Sequence, residues 1–279
     1  MGGAAGSPLA PRDAPSSGGR TRALAILGGV AVLVLAAIVW GVISLIGLFT
    51  ADEPGPVGDP GAAATAPPTS GSGSEAEAAL ARAPMPPVPA QASMPHTLST
   101  RSAGPPITLP QPTQVSGVPV PTGFPDTPEG ALAQLAELTK AGMAGADPQV
   151  WAQAYTAMAE PGAAPPEATP INNELVAMRR SANMAPTGPR AGMSLSWSPT
   201  SALVKGSTDD GSYVVGCVLG EMVADYKGRV ANAGWGNCLP MRRVGDQWRV
   251  ASGPTAWAGP SLWPGSDEAV SVGYRDITR

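Results

Sequence analysis

The sequence predicts an α+β fold: helices packed on a curled antiparallel sheet, preceded by a transmembrane helix and a disordered linker. Three observations predict it. An uncharged apolar run extends from Ala23 to Phe49, residues 50–122 contain no Phe, Trp or Tyr, and residues 123–279 pass from helical hydrophobic spacing to Val-, Trp- and Tyr-rich strand segments. Gly 35 and Pro 33 among 279 residues are too many for one continuous packed domain, so part of the chain must be linker. A run of helices followed by a run of strands argues for α+β rather than an alternating α/β sheet.

The apolar run is long enough to span a bilayer, for which about 20 residues suffice, and too long for the apolar region of a cleaved signal peptide. Arg12, Arg20 and Arg22 precede it, whereas Asp52 and Glu53 follow it. The positive-inside bias therefore makes residues 1–22 a cytoplasmic tail and puts everything after residue 50 outside the cell membrane. Ala37 and Gly41 are small residues four apart, a spacing that lets two such helices meet closely and form a homo-oligomer, although small residues are common in membrane helices generally.

Residues 50–122 are dominated by Pro, Ala, Gly, Ser and Thr. Such a composition does not bury enough apolar surface to offset its ordering entropy, so a disordered linker is expected. Fully stretched as polyproline II it would reach ~200 Å, and as a flexible coil nearer ~50 Å. Within it only Ser74 to Arg82 reads as helical, with Ser74 as cap and Glu77 three residues on. His96 reads as an exposed linker residue.

Eleven of the thirteen aromatic residues (Trp 7, Tyr 4, Phe 2) lie beyond residue 123, which places the extracytoplasmic domain at 123–279. Thr127-Pro128-Glu129 is a helix start, with a cap, a proline in the first turn and an acid behind it. Leu132, Leu135, Ala136 and Met143 follow at helical spacing. Asp147-Pro148 opens a second helix with Trp151, Ala154, Tyr155 and Met158 on its inner face, and a third covers Asn173 to Asn183. Strands are expected over Ser194–Lys205, Ser212–Tyr226, Arg229–Val244 and Gln247–Ser252, and Ser266 caps a final helix that returns Val270, Val272 and Tyr274 to the core.

If Lys227 and Gly228 form a two-residue hairpin turn, facing positions sum to 455, which makes Cys217 and Cys238 direct partners. The pair falls at a non-hydrogen-bonded position, with Cα atoms ~4.5 Å apart, near the lower end of disulfide geometry. A location outside the membrane permits the bond. A bulge near Gly234 and Gly236 would instead shift the register and leave two buried thiols. On the unshifted register Val214, Val218, Met222, Ala224 and Tyr226 share the core face with Ala231, Ala233, Trp235 and Leu239, and Gly216 and Gly220 along it let the sheet curl.

Composition also narrows function. A formal net charge of −4 gives no basic surface for nucleic acid. One histidine and two cysteines leave little from which to build a zinc site, a Ser-His-Asp triad or a haem pocket, and no phosphate loop or Ca²⁺ loop occurs. No cofactor and no small-molecule substrate are expected. Asp225 and Tyr226, a possible base and donor, are adjacent and point to opposite faces of a strand. The basic doublets Arg179-Arg180 and Arg242-Arg243 are candidate docking points for an acidic partner. Trp257 and Trp263, in the segment AWAGPSLWPG, form either a strap over the core or a second docking patch.

The plan of tail, span, tether, helices and curled sheet resembles the cystatin-like roll, also called the nuclear-transport-factor-2-like fold. The segments GFPDTPEGALAQLA (123–136) and WPGSDEAVSVGYRDI (263–277) are similar to those of single-span actinobacterial proteins encoded with conjugation genes, akin to scaffold proteins of type IV secretion systems. The resemblance implies a non-catalytic assembly subunit that docks other envelope proteins, and it carries no catalytic motif onto this chain. An accessory subunit of another envelope complex, for lipid import or cell-wall sensing, fits the same architecture, and a small isomerase-like enzyme fits less well.

Overall fold

Lys227 and Gly228 adopt φ of 54° and 81°, the mirror-image turn whose twist suits a two-residue hairpin. The Asp225 carboxylate accepts the Gly228 N–H at 2.8 Å, and the Lys227 N–H donates to the Gly192 carbonyl at 2.9 Å. This turn joins the strands β3 (Tyr213–Tyr226) and β4 (Arg229–Val244). They pair without a bulge from Tyr226↔Arg229 to Tyr213↔Arg242, the register expected from the turn. Cys217 and Cys238 face each other and are disulfide-bonded, with Cα atoms 4.1 Å apart.

The computed structural model describes residues 71–279. The expected tail (1–22), span (23–49) and first part of the linker (50–70) lie outside the described residues. Among the described residues no helix is long and apolar enough to cross a membrane.

The chain is α+β, with helices on a curled antiparallel sheet. Helix α1 is Ser74–Arg82, α2 Pro128–Gly142, α3 Pro148–Met158, α4 Pro170–Ser181 and α5 Asp267–Val272. The other strands are β1 (Ile107–Thr108), β2 (Met193–Thr208), β5 (Gln247–Val250) and β6 (Arg275–Thr278), and the sheet order is β1-β6-β2-β3-β4-β5. All pairs are antiparallel except β1 with β6. β2 shifts register twice, between Pro199 and Ser201 and between Val204 and Gly206, and such bulges bend a strand.

Local chemistry starts each helix. Thr127, Asp147 and Ser266 accept backbone N–H groups as side-chain caps, as the sequence implies. The third helix begins earlier than expected because Thr169-Pro170 supplies the same cap-proline start, with Thr169 Oγ1 also accepting the Trp151 indole N–H at 2.9 Å. The Ser74 start is corrected: the cap position is Gly73, whose N–H is held by Asp209 Oδ1 at 2.7 Å.

The first core lies between the sheet and helices α2–α4. It holds Leu132, Leu135, Trp151, Tyr155, Leu175, Val214, Val218, Trp235 and Leu239. Gly216 lets Leu132 and Leu135 pack close to the strand, since a Cβ on it would lie 2.9 Å from Leu132 Cδ2 and push that side chain aside.

A second core covers the opposite face, and it corrects the linker boundary. Residues 71–122 belong to the folded body: Leu80, Ala81, Met85 and Ala92 pack with Tyr213, Val215, Cys217, Leu219 and Cys238, together with Ala256, Leu262, Ala269 and Tyr274. Farther on, Ile107, Leu109 and Val120 join the first core, and Ile107 pairs with Ile277. The physical reason is that from Tyr213 to Leu219 the odd positions of β3 are as apolar as the even ones, so a helical layer on one face alone would leave an apolar face wet. Single aliphatic residues spaced along a proline-rich strap cover it, and proline lowers the entropy lost in ordering that strap. His96, expected to be an exposed linker residue, is exposed but sits on the folded body, contacting Glu268 Oε2 at 3.1 Å and the Met94 carbonyl at 2.7 Å.

Two outcomes follow from this packing. Replacing both Cys217 and Cys238 by Ser should cost about 3 kcal/mol in urea unfolding, the scale for a crosslink closing a loop of roughly 20 residues, and neither thiol of the native chain should label before reduction. Arg242→Ala, which leaves Glu77 on α1 without its partner, should destabilise by about 2 kcal/mol and expose residues 74–100 to limited proteolysis that the native chain resists.

Candidate functional site

The residues expected to dock partners are placed in quite different surroundings. Arg179 is buried and spent inside the fold: Nε donates to the Ala185 carbonyl at 2.8 Å and Nη1 to the Ala146 carbonyl at 3.0 Å, while Nη2 reaches Gly188. It ties the end of α4 to the α2–α3 connection. Arg242 donates to Glu77 Oε2 at 2.5 Å, to Glu160 and to Ser252 Oγ at 3.0 Å, and its guanidinium lies 5.4 Å from the Tyr213 ring centroid. Arg243 donates to the Phe124 carbonyl at 3.0 Å and lies over Trp248. These three arginines are structural staples, because each guanidinium is already committed to carbonyls, carboxylates or rings of its own chain. Arg180 is exposed, as is Trp257 at 50%, whereas Trp263 is half-buried and its N–H donates to the Ala92 carbonyl at 2.6 Å. The segment holding both tryptophans is thus a strap over the second core, with Trp257 standing out of it.

Asp225 is occupied by the hairpin turn, so the base suggested by its neighbourhood with Tyr226 is committed elsewhere. Tyr226 carries Arg190 4.9 Å above its ring.

A different group stands out between α4 and the inner face of β4. Glu174, on α4, is half-buried as a residue, but its Oε2 is shielded from solvent. The Trp235 indole N–H is shielded too, and the two act on each other short of a formed hydrogen bond. Burial pushes the Glu174 carboxyl up to about 8, and the indole N–H opposes that shift weakly. Trp235 is itself held through its carbonyl, which accepts the Trp197 indole N–H at 3.0 Å. No local pattern marks this pair, because Glu174 sits on α4 and Trp235 on β4, 61 positions later. Chemically the pair is a neutral acid at ordinary pH, able to hold or release one proton.

The second titrating group of note is Lys205. It is buried, donates to the Ala81 carbonyl at 3.3 Å and to the Ala83 carbonyl, and burial lowers its amine to about 8. It caps the C-terminal end of α1, where a cation favours the helix dipole. Among the described residues no group of three or more His, Cys, Asp or Glu side chains is placed to hold a metal ion. No family model, no curated protein sequence and no solved structure matches this chain.

The Glu174 carboxyl makes stability depend on pH with a definite sign. The folded state keeps the proton up to about 8, whereas the unfolded chain releases it near its ordinary 4.5. Its contribution is therefore intact below the lower value and is lost as pH rises to the upper one, with a slope of at most about 1.4 kcal/mol per pH unit. Urea midpoints of the purified chain at pH 5 and pH 8 check this: Glu174→Gln should be more stable than the native chain at pH 8, with the difference shrinking at pH 5.

Proposed function

We propose that the chain is a non-catalytic, membrane-tethered assembly subunit of a conjugation or type IV-like secretion apparatus, with a body of the cystatin-like roll class outside the membrane. One observation carries the reading: both faces of the sheet are filled by the chain's own side chains, helices on one and the strap on the other. A body built this way offers its outer surface to partners rather than an open interior to a substrate. The uncharged run from Ala23 to Phe49 supplies the anchor in this reading, and the disulfide suits an oxidising space outside the membrane.

The ordered strap changes how the tether works. Residues 50–70 are the only segment between the anchor and the described body, and they can span at most about 75 Å. The subunit therefore presents its body close to the membrane instead of reaching far across the envelope.

The Glu174–Trp235 pair favours a second reading, a small isomerase-like enzyme that moves a proton between α4 and β4. Genetic transfer separates the two. Deleting the gene in the host should abolish plasmid transfer without stopping growth. Transfer should return with the full chain and with Glu174→Gln, and should not return with residues 71–279 exported alone. Unchanged transfer in the deletion strain sinks the secretion reading, and rescue that fails only for Glu174→Gln moves the assignment to proton chemistry.

A further inference from the structure

The segment between α1 and the Ala90–Ser93 turn holds a feature that the packing uses on one side only. From Ala83 to Pro89, APMPPVP, every residue is a proline or directly precedes one. Proline fixes φ near −65° and pushes the residue before it to extended backbone. The result is left-handed polyproline II with three residues per turn, and the two ends show it, with φ/ψ of −52°/127° at Ala83 and −61°/141° at Pro89.

A period of three sorts these side chains onto three edges. Met85 and Val88 share the first, which is turned inward: Met85 is buried and Val88 half-buried against the second core. Pro84 and Pro87 share the second edge, and Pro86 and Pro89 the third; all four are exposed. Among the described residues no hydrogen bond reaches the carbonyls of Pro84 to Val88. The ends are pinned, by Lys205 and the Trp257 N–H at the Ala81 and Ala83 carbonyls and by the Trp263 N–H at the Ala92 carbonyl.

We propose that Pro84–Pro89 is a docking ridge for a partner protein domain that has an aromatic-lined groove. Two proline edges flanking a line of free carbonyls match what such a groove reads: flat rings between aromatic side chains, and acceptors for an indole or phenol donor. Pinning at both ends means that little conformational freedom is lost on docking. Arg82, exposed in the last turn of α1, adds one positive charge at the ridge's start and calls for an acidic residue at that end of the groove, which fixes direction. A single cation beside a convex ridge is a poor match for a lipid surface, which is held by clusters of basic residues. The assignment rests on the ridge itself, so it stands or falls separately from the apparatus proposed above.

Photocrosslinking in the host membrane tests it on the full chain. A benzophenone side chain replaces Pro87 on one outward edge or Pro89 on the other, with exposed Gln149 on the helical layer as control. The expected result is one partner protein captured from both edges and not from Gln149, with adducts on or beside Trp, Tyr or Phe residues of a single groove. Adding Pro84→Ala and Pro86→Ala to the Pro87 probe should cut capture about tenfold, the effect of losing a binding hot spot, with only a small fall in thermal unfolding temperature, from the ordering entropy that the prolines save, because Met85 and Val88 still anchor the segment. Arg82→Glu, on an exposed helix position, gives an independent loss of capture. Adducts on lipid, on a second copy of this chain or on surfaces without aromatic residues overturn the proposal, as does the absence of any adduct.

Discussion

The Lys227-Gly228 turn decides more of this structure than any other pair of residues. Two residues at positive φ fix which positions of β3 and β4 face each other, and side chains alternate strictly along each strand. A slip of one residue would exchange the two faces of both strands. With the register set, Val214, Val218, Trp235 and Leu239 meet the helices, while Val215, Cys217, Leu219 and Cys238 meet the strap. The disulfide locks the choice eight residues or more from the turn, where fraying would otherwise begin to cost least.

Because both faces are apolar, the sheet needs two covers, and that need governs how the chain is divided. Helices α2–α4 carry Leu, Trp and Tyr at helical spacing and cover one face in the ordinary way. The second cover comes from residues 80–92 towards one end of the described chain and 251–274 towards the other. The two ends are joined to each other by the Leu98–Ser266 bridge, by the Arg101–Asp267 and His96–Glu268 contacts and by the parallel β1–β6 pair. Neither end would be expected to order alone, since each supplies only a few scattered aliphatic residues.

That division explains what could be read in the sequence. The hairpin register, the disulfide, the cap-proline starts at Thr127 and Asp147 and the inner face of β3 at Val214, Val218 and Met222 were legible because each depends on residues close together or on the parity of a strand; towards the turn the same face leaves the core, with Ala224, Tyr226, Ala231 and Ala233 half-buried outside it. The strap was not. Its anchors Leu80, Met85 and Ala92 are single residues in a proline- and alanine-rich stretch with no aromatic residue, so composition alone reads them as linker. The roles of Arg179 and Arg242 were hidden for a related reason. A doublet of arginines looks like a solvated or docking surface until the carbonyls of Ala146 and Ala185, or the carboxylates of Glu77 and Glu160, are brought beside it.

The same charges show how the strap is held. Arg242 joins Glu77 of α1 to Glu160 after α3, so one guanidinium bridges the strap and the helical side through the edge of the sheet. Lys205 does similar work from β2 by closing the carbonyl end of α1. Both are paired, whereas Glu174, beside Trp235 of β4, has burial but no cation acting on it. An unpaired buried acid weakens the fold wherever it is ionised, and nothing in the packing of α4 needs a carboxyl at that position when an apolar or amide side chain would fill it. Among the described residues its presence departs from the pattern set by Arg179, Lys205 and Arg242, whose buried charges serve the architecture of the chain.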